Sequence, residues 1–263
     1  MITSTSNTRI RQLMQWNQKA KARREDKVFI VEGTKMFLEA PQSWIREVYL
    51  AESFYEKMPE AAAGKLDRSS YEVVKDSIFQ KISDTQTPQG ILSVLKQPEY
   101  VLSDLGLMRQ SGHPLVIVIE NIQDPGNLGT IIRTAEAAGA TGVVMSPDTV
   151  DVYNPKTIRA TMGSIYRVPF LYVDSLSDAI RHLKRNSIQI YAAHLKGDRS
   201  YHELNFTKGT AFLIGNEGNG LKEETAALAN SYVKIPMEGR VESLNAAIAS
   251  AVLMYEAHRQ RLG

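Results

Sequence analysis

The sequence predicts an α/β protein: a mostly parallel sheet with helices on both faces in the carboxyl-terminal part, preceded by a small α/β unit. Three observations predict it. Leu115-Val116-Ile117-Val118-Ile119 is a continuous apolar run, as in a strand covered on both faces. From Leu115 to the chain end, strand-like and helix-like segments alternate, the pattern of a parallel sheet with crossover helices. Before it, residues 96–113 hold Pro98, Gly106 and Gly112 among polar residues, with Pro114 just beyond, a linker composition that can include some helix. The expected division is residues 1–96, a linker 97–113, and residues 114–263.

In the first part, residues 8–24 read as one polar, basic helix, 28–31 as a short strand, 33–40 as a helix start, 45–50 as a strand and 90–95 as the last strand. In the second part, 115–119 is a strand, 121–127 a loop and 128–138 a helix stopped by Gly139, since a helix end commonly needs a residue at positive φ. Strand 142–145, helix 155–162, strand 170–173, helix 177–186 and strands 188–193 and 211–214 follow. Then come helix 221–229, strand 232–235 and a long helix from 243 to 259. Such sheets bind ligands beyond the carboxyl ends of their strands. The sites are therefore expected in the loops after Ile119, Ile214 and Ile235.

Composition excludes several classes. Hydrophobic residues make up 43% and charged residues 23% of 263, a globular balance that rules out global disorder. No apolar run approaches the roughly 20 residues that span a bilayer. The chain starts without a basic-then-apolar leader pattern. With no cysteine, disulfides, thiolate metal sites and cysteine nucleophiles are excluded. A cytoplasmic protein fits. The net charge of +2 says little about nucleic acid, but its distribution says more. Residues 1–27 carry seven basic side chains, Arg9, Arg11, Lys19, Lys21, Arg23, Arg24 and Lys27, against Glu25 and Asp26. Such a segment can track phosphates, or it is simply a solvated helix face.

Three loops hold the chemistry. The first runs Asn121-Ile122-Gln123-Asp124-Pro125-Gly126-Asn127-Leu128-Gly129, then Arg133. Asp-Pro-Gly is a turn signal, and Asn127 is placed to cap the helix. Gly129 lies four residues below Arg133 on one helix face, leaving room for an anionic partner. An arginine there can fork onto a phosphate or stabilise an alkoxide, or it is an ordinary exposed helix arginine. The second loop, Gly215-Asn216-Glu217-Gly218-Asn219-Gly220, permits close backbone approach. It has neither the dinucleotide-binding glycine spacing nor a phosphate-loop lysine. Glu217 can bind a ligand, orient a hydroxyl or cap the next helix. The third runs from Ile235 to Ala247. Pro236 ends a strand because it has no N–H for the ladder, and Ser243 is a plausible helix cap. Leu244, Ile248, Val252 and Tyr255 then make one apolar helix face, and Ala246, Ala247, Ala249, Ser250 and Ala251 permit close approach of another backbone.

In this order, the loops resemble the three motifs of the SpoU (TrmH-like) family of RNA ribose 2′-O-methyltransferases. The first motif matches through Asn121, Asp124, Pro125, Gly126, Asn127, Gly129, Arg133 and Gly139. The second matches through Gly215, Glu217, Gly218 and Gly220. The third matches through Ile235, Pro236, Met237, Gly239, Val241, Ser243, Leu244, Asn245 and Ala246. The resemblance covers about residues 114–260 without departure at these positions. Phe29-Ile30-Val31-Glu32-Gly33 resembles the start of the small substrate-binding domain often found ahead of such a catalytic domain, itself similar to a ribosomal RNA-binding protein fold.

The resemblance implies a trefoil knot, which pattern reasoning would not anticipate because knots are very rare. It also implies a homodimer, S-adenosylmethionine as cofactor, no metal and an RNA substrate, with ribosomal RNA favoured over transfer RNA. The expected cofactor contacts are Leu213, Ile214, Gly215, Asn216, Glu217, Gly218, Ile235, Pro236, Met237, Ser243, Leu244, Asn245 and Ala246. Arg133 is the expected catalytic residue, with Asn127, Glu217, Ser243 and Asn245 positioning the ribose. Arg9, Arg11, Lys19, Lys21, Arg23, Arg24 and Arg133 are the expected RNA contacts. Rival readings are a knotted base methyltransferase and a non-catalytic RNA-binding protein.

Overall fold

In the computed structural model, which describes residues 1–107, 112–197 and 199–262, the chain forms two compact units. The first contains Met1–Pro98 and Asp151–Tyr166, the second Glu99–Val150 and Arg167–Gly263. Within the segment expected to be a linker, Leu102–Leu105 is a short 3-10 helix whose Leu105 is buried beneath Gly142. Residues 108–111 of that segment lie outside the described residues.

The first unit holds α1 (Thr8–Gln18), α2 (Ala20–Asp26), β1 (Val28–Glu32), α3 (Thr34–Glu39), β2 (Ile45–Ala51), α4 (Glu52–Glu56), α5 (Glu60–Leu66), β3 (Tyr71–Val74), α6 (Asp76–Ile82) and β4 (Ile91–Lys96). Its sheet runs β1-β4-β2-β3, with β4 antiparallel to both neighbours and β3 parallel to β2. One face packs Ile10, Leu13, Trp16, Phe79 and Ile82; the other packs Phe37, Ala62 and Leu66. The single amino-terminal helix expected from sequence is two helices. Lys19 is extended at φ −120°, and α2 folds back so that Arg23 Nη1 donates to the carbonyls of Trp16 and Asn17. Those are among the end-of-helix acceptors that lack an intrahelical donor. Sequence periodicity missed α4, α5, β3 and α6, because elements of four to seven residues show too few repeats to register.

The second unit holds β5 (Leu115–Ile119), α7 (Pro125–Ala137), β6 (Gly142–Met145), β7 (Phe170–Tyr172), α9 (Leu176–Arg185), β8 (Gln189–Ala193), β9 (Arg199–Ser200), β10 (Thr210–Ile214), α10 (Glu223–Ala226), β11 (Ser231–Lys234) and α11 (Ala246–Arg261). Helix α8 (Pro155–Thr161) belongs to the first unit, although the chain reaches it between β6 and β7. The sheet order is β7-β6-β5-β10-β8-β11-β9, and every pair is parallel. All five residues of β5 and of β10 are buried, which is why both read as unbroken apolar runs. Gly139, at φ +75°, ends α7 as expected.

Three helix boundaries differ from the sequence reading. α7 starts at Pro125, because Asp124 Oδ1, not the Asn127 side chain, accepts from the Asn127 N–H as the cap. α11 starts at Ala246, capped by Asn245 rather than Ser243. α10 is one turn: the buried Glu120 carboxylate accepts from Lys222 N and Thr225 Oγ1 at its start, and Asn230 ties the following turn to Ile190. The apolar face expected to bury α11 is also not its buried side. Ile248 and Tyr255 are about half exposed, while Ala246, Ala247, Ser250, Leu253, Met254 and Ala257 are buried.

Candidate functional site

β8, β10 and β11 are neighbours in the sheet and point the same way, so their carboxyl-end loops converge. They enclose a cavity of about 330 Å³ with the loop leading into α11. That is within the range of roughly 300–1,000 Å³ typical of small-molecule sites. Ten of the expected cofactor residues line it: Ile214, Gly215, Asn216, Glu217, Gly218, Ile235, Met237, Ser243, Leu244 and Ala246. Leu213, Pro236 and Asn245 do not. Leu213 is fully buried within β10, paired to β5 on one side and β8 on the other, so strand and core occupy it.

Sequence reasoning missed the wall formed by Ala193, His194, Leu195 and Lys196, together with Val233, Lys234 and Glu242. The signal was present, since this is the carboxyl end of the strand expected at 188–193. What was missing was the strand order that puts β8 beside both β10 and β11. His194 stacks on Tyr232 with ring centroids 5.1 Å apart, and its Nδ1 accepts from the Lys196 N–H at 3.1 Å.

The second loop is closed by paired backbone hydrogen bonds, Asn216 N to Gly220 O at 3.0 Å and Gly220 N to Asn216 O at 2.9 Å. Asn216 Oδ1 accepts from Gly218 N and Asn219 N inside this turn, and its Nδ2 donates to Asn121 O. A Cβ on Gly215 would sit 2.2 Å from the backbone of Gly220 and Leu221. Close approach, not unusual φ, is therefore what requires glycine there.

Glu217 joins the first two loops. Its carboxylate accepts from Gln123 N at 3.2 Å, Asp124 N at 3.2 Å and Asn127 Nδ2 at 2.9 Å. Asn127 Oδ1 in turn accepts from Asn245 Nδ2 at 3.0 Å, and Asn245 Oδ1 caps α11 through Ala247 N and Ile248 N. One relay of polar side chains thus ties all three motifs. Burial alone would raise the Glu217 carboxyl, but the Asn127 and backbone hydrogen bonds outweigh it and hold the group below its usual value. Glu217 is accordingly an ionised acceptor at neutral pH. Its carboxylate braces the first loop and is ill suited to act as a general acid.

Arg133 lies on the exposed side of α7, and its side chain makes no hydrogen bond or ion pair among the described residues. Ser243 is also exposed. In the first unit, Arg9, Arg11, Lys19, Lys21 and Arg24 are exposed, with Arg9 paired to Glu72 and Lys21 3.7 Å from Glu25. Arg23 corrects the expectation for that group. It is 3% exposed, its Nε and Nη2 donate to Asp151 at 3.2 and 2.6 Å, and its Nη1 is held by α1. It is a structural cation with no face for a phosphate. Among the described residues no cluster of three or more His, Asp or Glu suits a metal, and no helix is long and apolar enough to cross a membrane.

Residues 114–255 match the SpoU rRNA Methylase family, and residues 7–93 match the MRM3-like substrate binding domain. The chain is 31% identical over 256 residues to the 23S rRNA (guanosine(2553)-2′-O)-methyltransferase RlmP of Bacillus subtilis, covering 97% of each chain. It is similar to the AdoMet-bound rRNA methyltransferase of Sinorhizobium meliloti (TM-score 0.87, 32% identity, 100% of this chain and 98% of that one). It is also similar to the SpoU methyltransferase AviRb of Streptomyces viridochromogenes in complex with AdoMet (TM-score 0.88, 27% identity, 98% and 99%).

Proposed function

We propose, from the premise that this chain belongs to the SpoU rRNA methylase family, that it moves a methyl group from S-adenosylmethionine to a ribose 2′-hydroxyl of ribosomal RNA. The observation that carries this reading is the relay Glu217–Asn127–Asn245, which joins three distant motifs around one cavity. The cavity fits the cofactor: an apolar wall of Ile214, Ile235, Leu244 and Ala246 beside a loop whose backbone a side chain at Gly215 would obstruct. When bound, S-adenosylmethionine supplies an electrophilic methyl carbon on a positively charged sulfur.

The chain's own residues do the rest. The loops at Gly215, Ile235 and Leu244 hold the adenosine end largely through backbone groups. The relay sets the first turn of α7 and so the direction from which Arg133 reaches the ribose. The Arg133 guanidinium donates to the 2′-oxygen or its neighbouring phosphate and stabilises the developing alkoxide as the 2′ proton passes to water. The Gly215, Ile235 and Leu244 loops would present the cofactor's methyl group to the oxygen that Arg133 positions, the sulfur leaving as the neutral thioether. Ser243 and Asn245 orient the ribose. Exposed Arg9, Arg11, Lys19, Lys21 and Arg24 contact RNA phosphates, and the cytoplasm is the compartment in which that RNA is met. The trefoil knot expected of the family would be threaded through this same group of loops.

The test is transfer of labelled methyl from S-adenosylmethionine to ribosomal RNA lacking this enzyme's modification. Label at a linkage resistant to alkali is the expected result, because a 2′-O-methyl removes the hydroxyl that attacks the phosphate. Label lost with the base on depurination, or confined to transfer RNA, would overturn the ribose or the ribosomal assignment.

The homodimer is part of the same reading. α11 uses its small side chains within its own chain and leaves Ile248 and Tyr255 exposed with Val252 half-buried between them, at spacings of four and three, with exposed Val241 nearby in sequence. A second copy covering this stripe accounts for it. Sedimentation at micromolar concentration should give twice the 29.3 kDa chain mass, and Ile248→Asp with Tyr255→Asp should give the monomer. A wild-type monomer would remove the dimer from the proposal.

A further inference from the structure

The first unit contains a second cavity, of about 230 Å³, which the methyl-transfer reading leaves unused. Every residue lining it belongs to that unit. Its apolar surface comes from Ile30, Met36, Leu92 and Ile158. Helix α8 supplies one wall through Pro155, Ile158 and Arg159, so the wall and the sheet floor come from chain segments over sixty residues apart.

The polar groups are arranged by one carboxylate. Glu32 Oε1 accepts from Thr85 Oγ1 and Gln89 N at 3.1 Å each, and Ser83 Oγ reaches both oxygens. Oε2 has Ser83 alone as a donor and keeps accepting capacity. The Gln89 side-chain amide makes no hydrogen bond among the described residues, and Asn17 donates to Ile82 O while its own Oδ1 takes no donor. At the mouth, Lys35 and Arg159 are exposed cations held by Glu39 and Asp84. Exposed pairs of this kind are worth little, so a phosphate can displace them.

A flat aromatic ligand with two adjacent N–H donors and an acceptor answers these groups, and a phosphate attached to it answers the cations. We propose that this cavity holds an unpaired guanine of the RNA substrate. Guanine N1–H and N2–H both donate to Glu32 Oε2, the oxygen that keeps accepting capacity, O6 accepts from the Gln89 side-chain amide, and the ring lies against Ile30, Leu92 and Met36. Adenine, cytosine and uracil each lack the adjacent pair of donors. Single-stranded RNA is commonly read through such splayed bases. The inference rests on the proposed function for its ligand class, because an RNA substrate is what brings a guanine to this unit.

The experiment follows Ile and Met methyl resonances of the full chain while GMP, AMP, CMP and UMP are added in turn. GMP should shift Ile30, Met36 and Ile158 saturably and bind about tenfold tighter than the other three, the discrimination expected of one bidentate base contact. Equal binding of all four, or no shift at these methyls, overturns the proposal. Met36→Trp, which fills the cavity, should abolish the GMP shifts and raise KM for RNA about tenfold, leaving kcat and S-adenosylmethionine affinity unchanged. An unchanged KM removes the RNA role. Should that variant unfold, Gln89→Leu provides the second reading: its GMP preference over AMP should fall while its thermal unfolding stays at the wild-type temperature. A retained preference counts against the site. Wild-type methyl transfer without GMP binding sinks this inference alone, and GMP binding without methyl transfer sinks only the proposed reaction.

Discussion

Arg133→Ala is expected to lower kcat for methyl transfer by at least about a hundredfold, near 3 kcal/mol of transition-state stabilisation, the scale for removing one donor to a developing oxyanion. S-adenosylmethionine affinity should stay within about twofold, because Arg133 is outside the residues lining the cavity proposed for the cofactor. Stability should not change either, since the side chain is exposed and without an intramolecular partner among the described residues. Single-turnover kinetics at saturating cofactor, beside calorimetric titration of the cofactor alone, separate these effects. Arg133→Lys keeps the charge and loses the planar fork, so it should recover only part of the rate. Wild-type turnover by the alanine variant would remove Arg133 from the mechanism.

Gly215→Ala is the second large effect, and it is the mirror image of the first. The added methyl would sit 2.2 Å from backbone atoms of Gly220 and Leu221, which cannot rotate away as a side chain would. The loop must open, breaking the two Asn216–Gly220 hydrogen bonds and displacing Glu217, whose carboxylate braces the first motif. Losing those bonds and the preformed loop costs about 3 kcal/mol, roughly a hundredfold in cofactor affinity. Equilibrium dialysis with labelled S-adenosylmethionine reads this directly. Gly218→Ala is the control, because a Cβ there meets only Asn216 Oδ1 at 3.5 Å, an ordinary contact. Equal affinity in the two variants would mean that the loop does not hold the cofactor.

The Glu217 relay carries a pH consequence with a definite sign. A carboxyl held below its unfolded value contributes stability above that value and loses it as pH falls through the folded one. The bracing of the first loop is therefore complete at neutral pH and weakens only in acid. A pH–rate dependence near neutrality would have to come from another group.

The catalytic half was more legible in the sequence than the amino-terminal half. β5 and β10 announced themselves because a strand buried on both faces is apolar at every position, and Gly139 because a helix end needs positive φ. The short elements between Ala51 and Ile82 left no such mark, being too brief for periodicity and exposed on one side. The α11 face was read from spacing alone, and spacing cannot say which of two usable faces meets the chain's own sheet. Small side chains won the inner position, and Ile248 and Tyr255 stayed outside.

By itself the sequence determined the fold class, which follows from the periodicity of successive segments, and the three motif loops, the glycine at 215 and the residue types available for methyl transfer, which are local properties of a few consecutive residues. Only the tertiary structure decided that β8 lies between β10 and β11 and brings His194 and Lys196 to the cavity. It alone turned Arg23 inward onto Asp151, and it alone made Glu217 brace the first loop across some ninety residues of chain. Those facts depend on which distant segments become neighbours. Burial of apolar surface over the whole chain settles that, and no local pattern encodes it.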